Sequence, residues 1–188
     1  KLKEPFTTNL DPQVMEAYEN ICDELKKLGA KIEEIIIPEA NEKASLFPKI
    51  VGSEIISAFG IDRFKENVDE MDPITGNRAK LGLNVHSFEY ISAKQRVSEL
   101  EVIVNQYFMK YDALLSPTTV MQALDVNKAE IGKELHERSL LASANTQPVN
   151  IFGICAITYP IQKFATNQNQ GILPIGLQII CNKNEDEK

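Results

Sequence analysis

The sequence predicts an α/β fold in which helices cover both faces of a β-sheet, a three-layer α/β/α piece. Three observations carry that expectation. The first part of the chain reads helix, glycine, strand, proline. A long helix striped with apolar residues, from about Ser87 to Tyr111, leads straight into the short apolar run "DALLSPTT". Two more apolar runs, "GICAITYPI" and "LPIGLQIIC", flank one polar connection. Helical and strand-like patterns that alternate in this way belong to layered α/β proteins.

Each element has a local reason. Asp11-Pro12 is a helix start, because Asp can accept from free N–H groups and Pro is tolerated in the first turn. Val14, Tyr18, Ile21, Leu25 and Leu28 then step by four and three, which makes one apolar stripe, and Gly29 ends it. "AKIEEIIIPE" reads as a strand stopped by Pro38. Residues 41–60 read as a helix that Pro48 either begins or kinks. "DEMDPITGNRAKLG" reads as a loop. Tyr90, Val97, Leu100, Val104, Phe108 and Tyr111 mark the buried side of the long helix. In "DALLSPTT", Asp112 stands at the entry of a buried strand and Pro117 at its exit. Residues 120–144 read as a loop and then a short helix near Lys133 to Leu141. "NTQPVNIFG" reads as a polar turn at the mouth of the buried strand "GICAITYPI". A hairpin with a long connection, "QKFATNQNQGI", joins that strand to "LPIGLQIIC".

Composition narrows the function classes. The chain has 188 residues, 43% hydrophobic and 25% charged, enough for one domain over residues 1–188 with a core of its own. Lys and Arg number 20 against 27 Asp and Glu, a net charge of −7, which favours neither a nucleic-acid backbone nor an anionic membrane as a partner. Cys22, Cys155 and Cys181 are few, odd in number and widely spaced. They read as reduced thiols of a cytoplasmic protein rather than a disulfide framework or a zinc site. No apolar run reaches the ~18 residues of a membrane span. The chain begins on Lys1 with no signal-peptide pattern and no Met, which is read as the interior of a longer protein.

Catalytic motifs are sparse. Serine catalysis needs a base within hydrogen-bond reach and donors for the oxyanion. There is no Gly-x-Ser-x-Gly elbow, and Ser53 in "VGSEI" reads as an ordinary helix serine. His86 and His136 are far apart and read as surface or capping residues, with no metal-ligand spacing. Asp125, Glu130 and Glu134 read as a solvated face rather than an acid/base pair, and Cys155 as a small buried hydrophobe. No catalytic, metal or cofactor residue is assigned. The best surface is where strands end in polar turns, at "SPTT" and "NTQPVNIFG". Short hydroxyl and amide side chains there can hold a polar ligand or satisfy their own turns.

Three separated motifs, "YDALLSPTT", "TQPVNIFGICAITYP" and "LPIGLQII", in that order and at this spacing, resemble the C-terminal half of the amidase signature family. Asp112, Pro117, Thr118, Thr146, Pro148, Asn150, Gly153, Ala156, Pro160, Leu173, Pro174, Gly176, Leu177 and Gln178 fall on its pattern, and "LGAKIEEIIIPE" and "YISAKQRV" fit upstream. The resemblance implies a mixed sheet, incomplete in this chain, within a hydrolase of amide C–N bonds. It implies a serine nucleophile, a second serine and a lysine base, all in an N-terminal half around a Gly- and Ser-rich segment that this sequence lacks. The chain is thus expected to be inactive alone. It would supply sheet strands and part of a pocket for a small-molecule amide, with Thr118, Thr119, Asn150, Gly153, Cys155 and Arg78 as substrate-binding residues and the Asn150–Gly153 turn as one wall beside the nucleophile. Two departures matter. Cys155 stands where the family usually has proline. Ser143 stands near where the tRNA-dependent amidotransferase of this family carries an acid, which lowers that alternative. Arg78, in "NRAKLG", could hold a substrate carboxylate. A non-catalytic interaction protein built on the same scaffold is the other alternative. An isolated piece of this kind is expected to self-associate through its open sheet.

Overall fold

The Asp11-Pro12 start behaves as its chemistry requires. The Asp11 carboxylate accepts from the Gln13 N–H at 2.8 Å, and α1 runs over Pro12–Lys27. The computed structural model describes residues 1–123, 133–161 and 173–187, with the backbone alone for 133–136. The other helices are α2 (Lys43–Phe59), α3 (Ile61–Asn67), α4 (Pro73–Lys80), α5 (Ser87–Phe108), α6 (Lys133–Ala142) and α7 (Thr146–Phe152). Three strands, β1 (Leu114–Pro117), β2 (Cys155–Pro160) and β3 (Gly176–Cys181), and three short 3-10 turns, Pro38–Glu42, Val68–Glu70 and Leu81–Asn84, complete the described elements. Among the described residues no single helix is long and apolar enough to cross a membrane. One bent pair, Pro38–Phe59 with Ile61–Glu70, passes by length and composition alone.

The sheet order is β1-β3-β2, and both pairings are antiparallel. Among the described residues the parallel contribution is a single bridge, Leu2 with Ile35. The same N-terminal segment touches β1 on its other side, where the Leu2 N–H donates to the Leu115 carbonyl at 2.8 Å. Successive strand residues point to opposite faces, and the two faces meet different helices. Leu114 and Ile180 join the main core with Leu100 and Val104 of α5 and Val149 and Phe152 of α7. Leu115, Leu177 and Ile179 face the other way, onto Tyr18 and Cys22 of α1. The Tyr18 hydroxyl ties that layer down by donating to the Leu115 carbonyl at 2.6 Å, and burial pushes its pKa far up. The three layers expected from the sequence are therefore present: α1, the sheet, and α2 with α5 and α7.

Several expectations are corrected in detail. Residues 30–37 are extended but make only the Ile35 bridge, because the neighbouring segment is three residues long before it turns away at residues 4–9. The apolar stripe of α1 is rotated. Ala17 and Cys22 are buried with Val14 and Tyr18, while Leu28 is 85% exposed, since the helix has already ended at Lys27. Residues 73–80, expected as loop, form α4, started by Asp72 accepting from Ile74 and Thr75 N–H groups. Of the two positions the sequence left open for Pro48, the structure takes the one inside the helix, in α2. The polar turn at 145–153 is the helix α7, closed by Gly153 in the left-handed region at φ 64°. The "buried" strand β2 is exposed: Ile157 is 65% and Tyr159 59% exposed. Among the described residues β2 pairs with β3 alone, and the side chains of Ile157 and Tyr159 stand open to solvent. The carboxylates Asp125 and Glu130, and the connection 162–172, lie outside the described residues, as do the side chains of Glu134 and His136.

A second, smaller core joins α2, α3 and α4 through Ile56, Phe64, Val68 and Ala79. The Gly82 backbone that follows α4 lies directly on Gly52 of α2. A Cβ on Gly82 would stand 2.3 Å from the Gly52 carbonyl carbon, so only hydrogens fit in this crossing. Arg96 of α5 clamps Glu42 through two parallel bonds, Nε to Oε2 and Nη2 to Oε1, each 2.8 Å.

Candidate functional site

β1 and β3 are in register through Pro117 with Leu177, and the next residue, Thr118, keeps the ladder one step longer by donating its N–H to the Gly176 carbonyl at 2.9 Å. The Thr118 hydroxyl donates to the Thr158 hydroxyl of β2 at 3.3 Å. Gly176 is what allows the three strands to close here: a Cβ on it would lie 2.6 Å from Thr158 Cγ2 and 2.8 Å from Thr118 Oγ1. Just inside, Ser116 and Gln178, both buried, hydrogen-bond at 3.2 Å across the β1–β3 pair.

Beyond this sheet end lies a cleft of about 400 Å³, lined by Thr119, Met121, Gln122, Arg138, Ser139 and Pro174 among others. Thr119 has turned its hydroxyl to the Met121 carbonyl at 2.8 Å, which shapes the turn. Arg78 of α4 reaches the cleft wall from outside: its Nη2 donates to Ser139 Oγ at 3.2 Å. Its Nε is buried without a hydrogen-bond partner, and among the described residues no carboxylate pairs with the guanidinium. A guanidinium with no carboxylate on it among the described residues, reaching the wall of a largely apolar cleft, suits a carboxylate or carbonyl oxygen. A larger hollow of about 550 Å³ sits at the opposite end of β1, lined by Lys1, Glu33, Lys110, Tyr111 and Leu114 among others. It contains none of the six residues expected from the sequence.

Asn145 holds the region together from beneath. It is fully buried at the start of α7, and its amide donates to the Phe6 carbonyl at 2.9 Å and the Pro117 carbonyl at 2.8 Å. It thereby joins the N-terminal turn, the exit of β1 and α7. Lys43, half-buried, donates to the neighbouring Ala144 carbonyl, and burial lowers its pKa. Ser143 carries no charge to the cleft: its hydroxyl donates to the Ser139 carbonyl and accepts from Gln147.

The structure divides the six expected residues. Thr118, Thr119 and Arg78 gather around the sheet end and the cleft. Asn150 and Gly153 lie at the end of α7, where the nearest neighbour of a Gly153 Cβ would be Glu101 of α5. Cys155 is three residues along β2 from Thr158, about 10 Å at ~3.4 Å per residue. It also points to the opposite face, and its thiol donates to the Asn182 carbonyl at 3.0 Å. Ser139, Thr158 and Asn145 were not among the expected site residues. Gly176 was legible as part of "LPIG", and Thr158 needed only the strand register, which the sequence does not print.

The Ser53 hydroxyl donates to its own helix at Lys49, and Ser139 meets a guanidinium rather than a base. His86 stands at the start of α5, where its N–H donates to Glu89, and stacks on Phe88. Among the described residues no group of three His, Cys, Asp or Glu could hold a metal ion.

Comparison with known proteins places this geometry. A family model described as Amidase matches residues 2–188. The 2-amino-5-chloromuconic acid deaminase of Comamonas testosteroni is 27% identical over 179 residues, covering 93% of this chain and 37% of the relative. The glutamyl-tRNA(Gln) amidotransferase polypeptide of Streptococcus pneumoniae that bears the letter A is 27% identical over 212 aligned positions, covering 98% and 41%. Among solved structures, a crystal structure of an amidase aligns with a TM-score of 0.78 at 20% identity, covering 98% of this chain and 42% of that one. The corresponding amidotransferase polypeptide of Thermotoga maritima aligns at 0.72 with 24% identity, covering 98% and 38%. These likenesses establish the shared fold. The chain spans about two fifths of the length of the relatives it matches.

Proposed function

The chain belongs to the amidase family, and on that premise we propose that it forms the sheet end and one pocket wall of an enzyme that hydrolyses amide C–N bonds. The observation that carries this is the cleft beside Thr118 and Thr119, with the Arg78 guanidinium reaching its wall at Ser139 and no carboxylate on it among the described residues. In this reading Arg78 and Ser139 hold the oxygen-rich end of a small-molecule amide, and the threonine hydroxyls border its path. The serine pair and lysine base implied by the family resemblance are not in this sequence, so the chain contributes binding and no reacting group. Asn150, Gly153 and Cys155 would contribute only by shaping the far end of β2.

The uncharged Ser143 weakens the amidotransferase alternative, because a substrate ammonium at that place would meet hydroxyls and amides rather than an acid. An interaction protein on the same scaffold would use the exposed face of β2 instead of the cleft. The reading carries with it a cytoplasmic location, no direct nucleic-acid or membrane partner, and self-association of the chain by itself through β2.

The test compares the 188-residue chain with the same chain joined in frame to the Gly- and Ser-rich catalytic portion of a family member. The chain alone should release no ammonia from simple amides above background, and the joined protein should. In the joined protein, Arg78→Ala should raise KM for carboxylate-bearing amides about tenfold or more while leaving neutral amides nearly unchanged, a loss of the size expected for one charged hydrogen bond. Turnover by the chain alone, or equal effects on both substrate classes, would overturn the assignment.

A further inference from the structure

Independently of the cleft, we propose that Cys155 and Cys181 form a redox-responsive thiol pair that closes to a disulfide across β2 and β3. The two residues are direct partners in the antiparallel register. Direct partners in such a pair present their side chains on the same face, with Cα atoms about 4.5–5.5 Å apart, inside the ~4.4–6.8 Å window of disulfides. The aim of the sulfur agrees: Cys155 Sγ lies 3.0 Å from the carbonyl of Asn182, the residue after Cys181, so it leans across the ladder towards β3. Neither residue is in a disulfide, and both are half-buried, whereas Cys22 of α1 is fully buried against the sheet. The exposed course of β2 gives a small oxidant access to this pair and not to Cys22.

The oxidant is a low-molecular-weight disulfide. The Cys155 thiolate attacks one of its sulfurs; a sulfur–sulfur bond forms, the reagent's own bond breaks, and one thiolate leaves and takes up a proton. The Cys181 thiolate then attacks the Cys155 sulfur and expels the second thiol. The net change is two protein thiols oxidised, one disulfide reduced and two small thiols released. The second step is intramolecular between adjacent strands, so the mixed disulfide does not accumulate. The closed bond fixes the β2–β3 register at the end of the ladder away from Thr158 and Gly176.

The test incubates the reduced chain, dilute and without denaturant, with oxidised glutathione and reads the intact mass and the peptide map. The expected result is loss of two hydrogens, a Cys155–Cys181 peptide pair, and unmodified Cys22. Cys22→Ala should close in the same way. Cys155→Ser and Cys181→Ser should each stop at a single glutathione adduct. Thermal unfolding of the closed wild-type chain should move to higher temperature and return on reduction, which reports on the native protein without any substitution. Stable adducts on both cysteines, no reaction at all, pairing through Cys22, or disulfide-linked dimers in place of the internal bond would each overturn the proposal.

Discussion

Asn145 is the side chain on which most converges. Its amide satisfies carbonyls 139 and 28 residues away in sequence, and all three groups are out of water. Asn145→Ala should therefore cost about 3 kcal/mol, since it strands two buried acceptors rather than removing one exposed bond. Urea unfolding measures this, and a loss below about 1 kcal/mol would mean that water replaces the amide. Gly176 tests the opposite fault. Gly176→Ala drives a methyl into Thr158 Cγ2 and Thr118 Oγ1 and should destabilise by about 1–3 kcal/mol. Adding Thr158→Ser removes Cγ2 and should restore part of the loss, a coupling that independent sites would not show. At this scale the sequence was half legible. It flagged Asn145 as polar and Gly176 as patterned, but their roles depend on which distant backbones arrive beside them, and no local signal carries that. Arg78 was legible as a candidate holder of a substrate carboxylate, and the Ser139 that receives it was not legible at all.

Elements were legible where the signal is short-range and missed where tertiary contact decides. The Asp-Pro start identified α1, and the same pair at Asp72-Pro73 starts α4, where the density of turn residues hid it. α7 is seven residues long, too short to stand without the core that takes Pro148, Val149, Ile151 and Phe152, so its polar lettering read as a turn. The reverse holds at residues 30–37, where strand lettering finds only a three-residue neighbour. The crossing of α2 with the segment after α4 depends on Gly52 and Gly82. Gly82→Ala would set a methyl against backbone that cannot rotate aside, and it should cost about 3 kcal/mol or more. A small shift in the unfolding midpoint would show that the crossing opens freely. The Glu42–Arg96 clamp gives a pH signature. The hydrogen-bonded Arg96 holds the Glu42 carboxyl below the usual carboxylate range. Its contribution is thus full above the unfolded value of about 4.3 and is lost as pH falls through the lower folded value. Glu42→Gln should flatten that part of the acid limb when Tm is followed from about pH 6 to pH 3.

At the scale of the whole molecule, the layer order was legible and the coverage was not. The apolar runs of β1 and β3 announce burial on both faces, and both faces meet helices. β2 has the same lettering but presents Ile157 and Tyr159 to solvent, because lettering records what a strand can bury and not what lies over it. An edge that has no second partner among the described residues and carries apolar side chains invites pairing with another copy. Sedimentation of the 188-residue chain should show mass rising with concentration. Ile157→Lys should suppress that rise while leaving the circular dichroism unchanged, and a wild-type chain monomeric throughout would refute the expectation. The division of β3 between two helical layers has a further consequence. One residue inserted between Gly176 and Cys181 would turn each later side chain over, exchanging the neighbours of Ile179 and Ile180, while a second insertion would turn them back. Length variation in that stretch obeys a parity rule: even steps leave the molecule recognisable to itself, and odd steps turn it inside out.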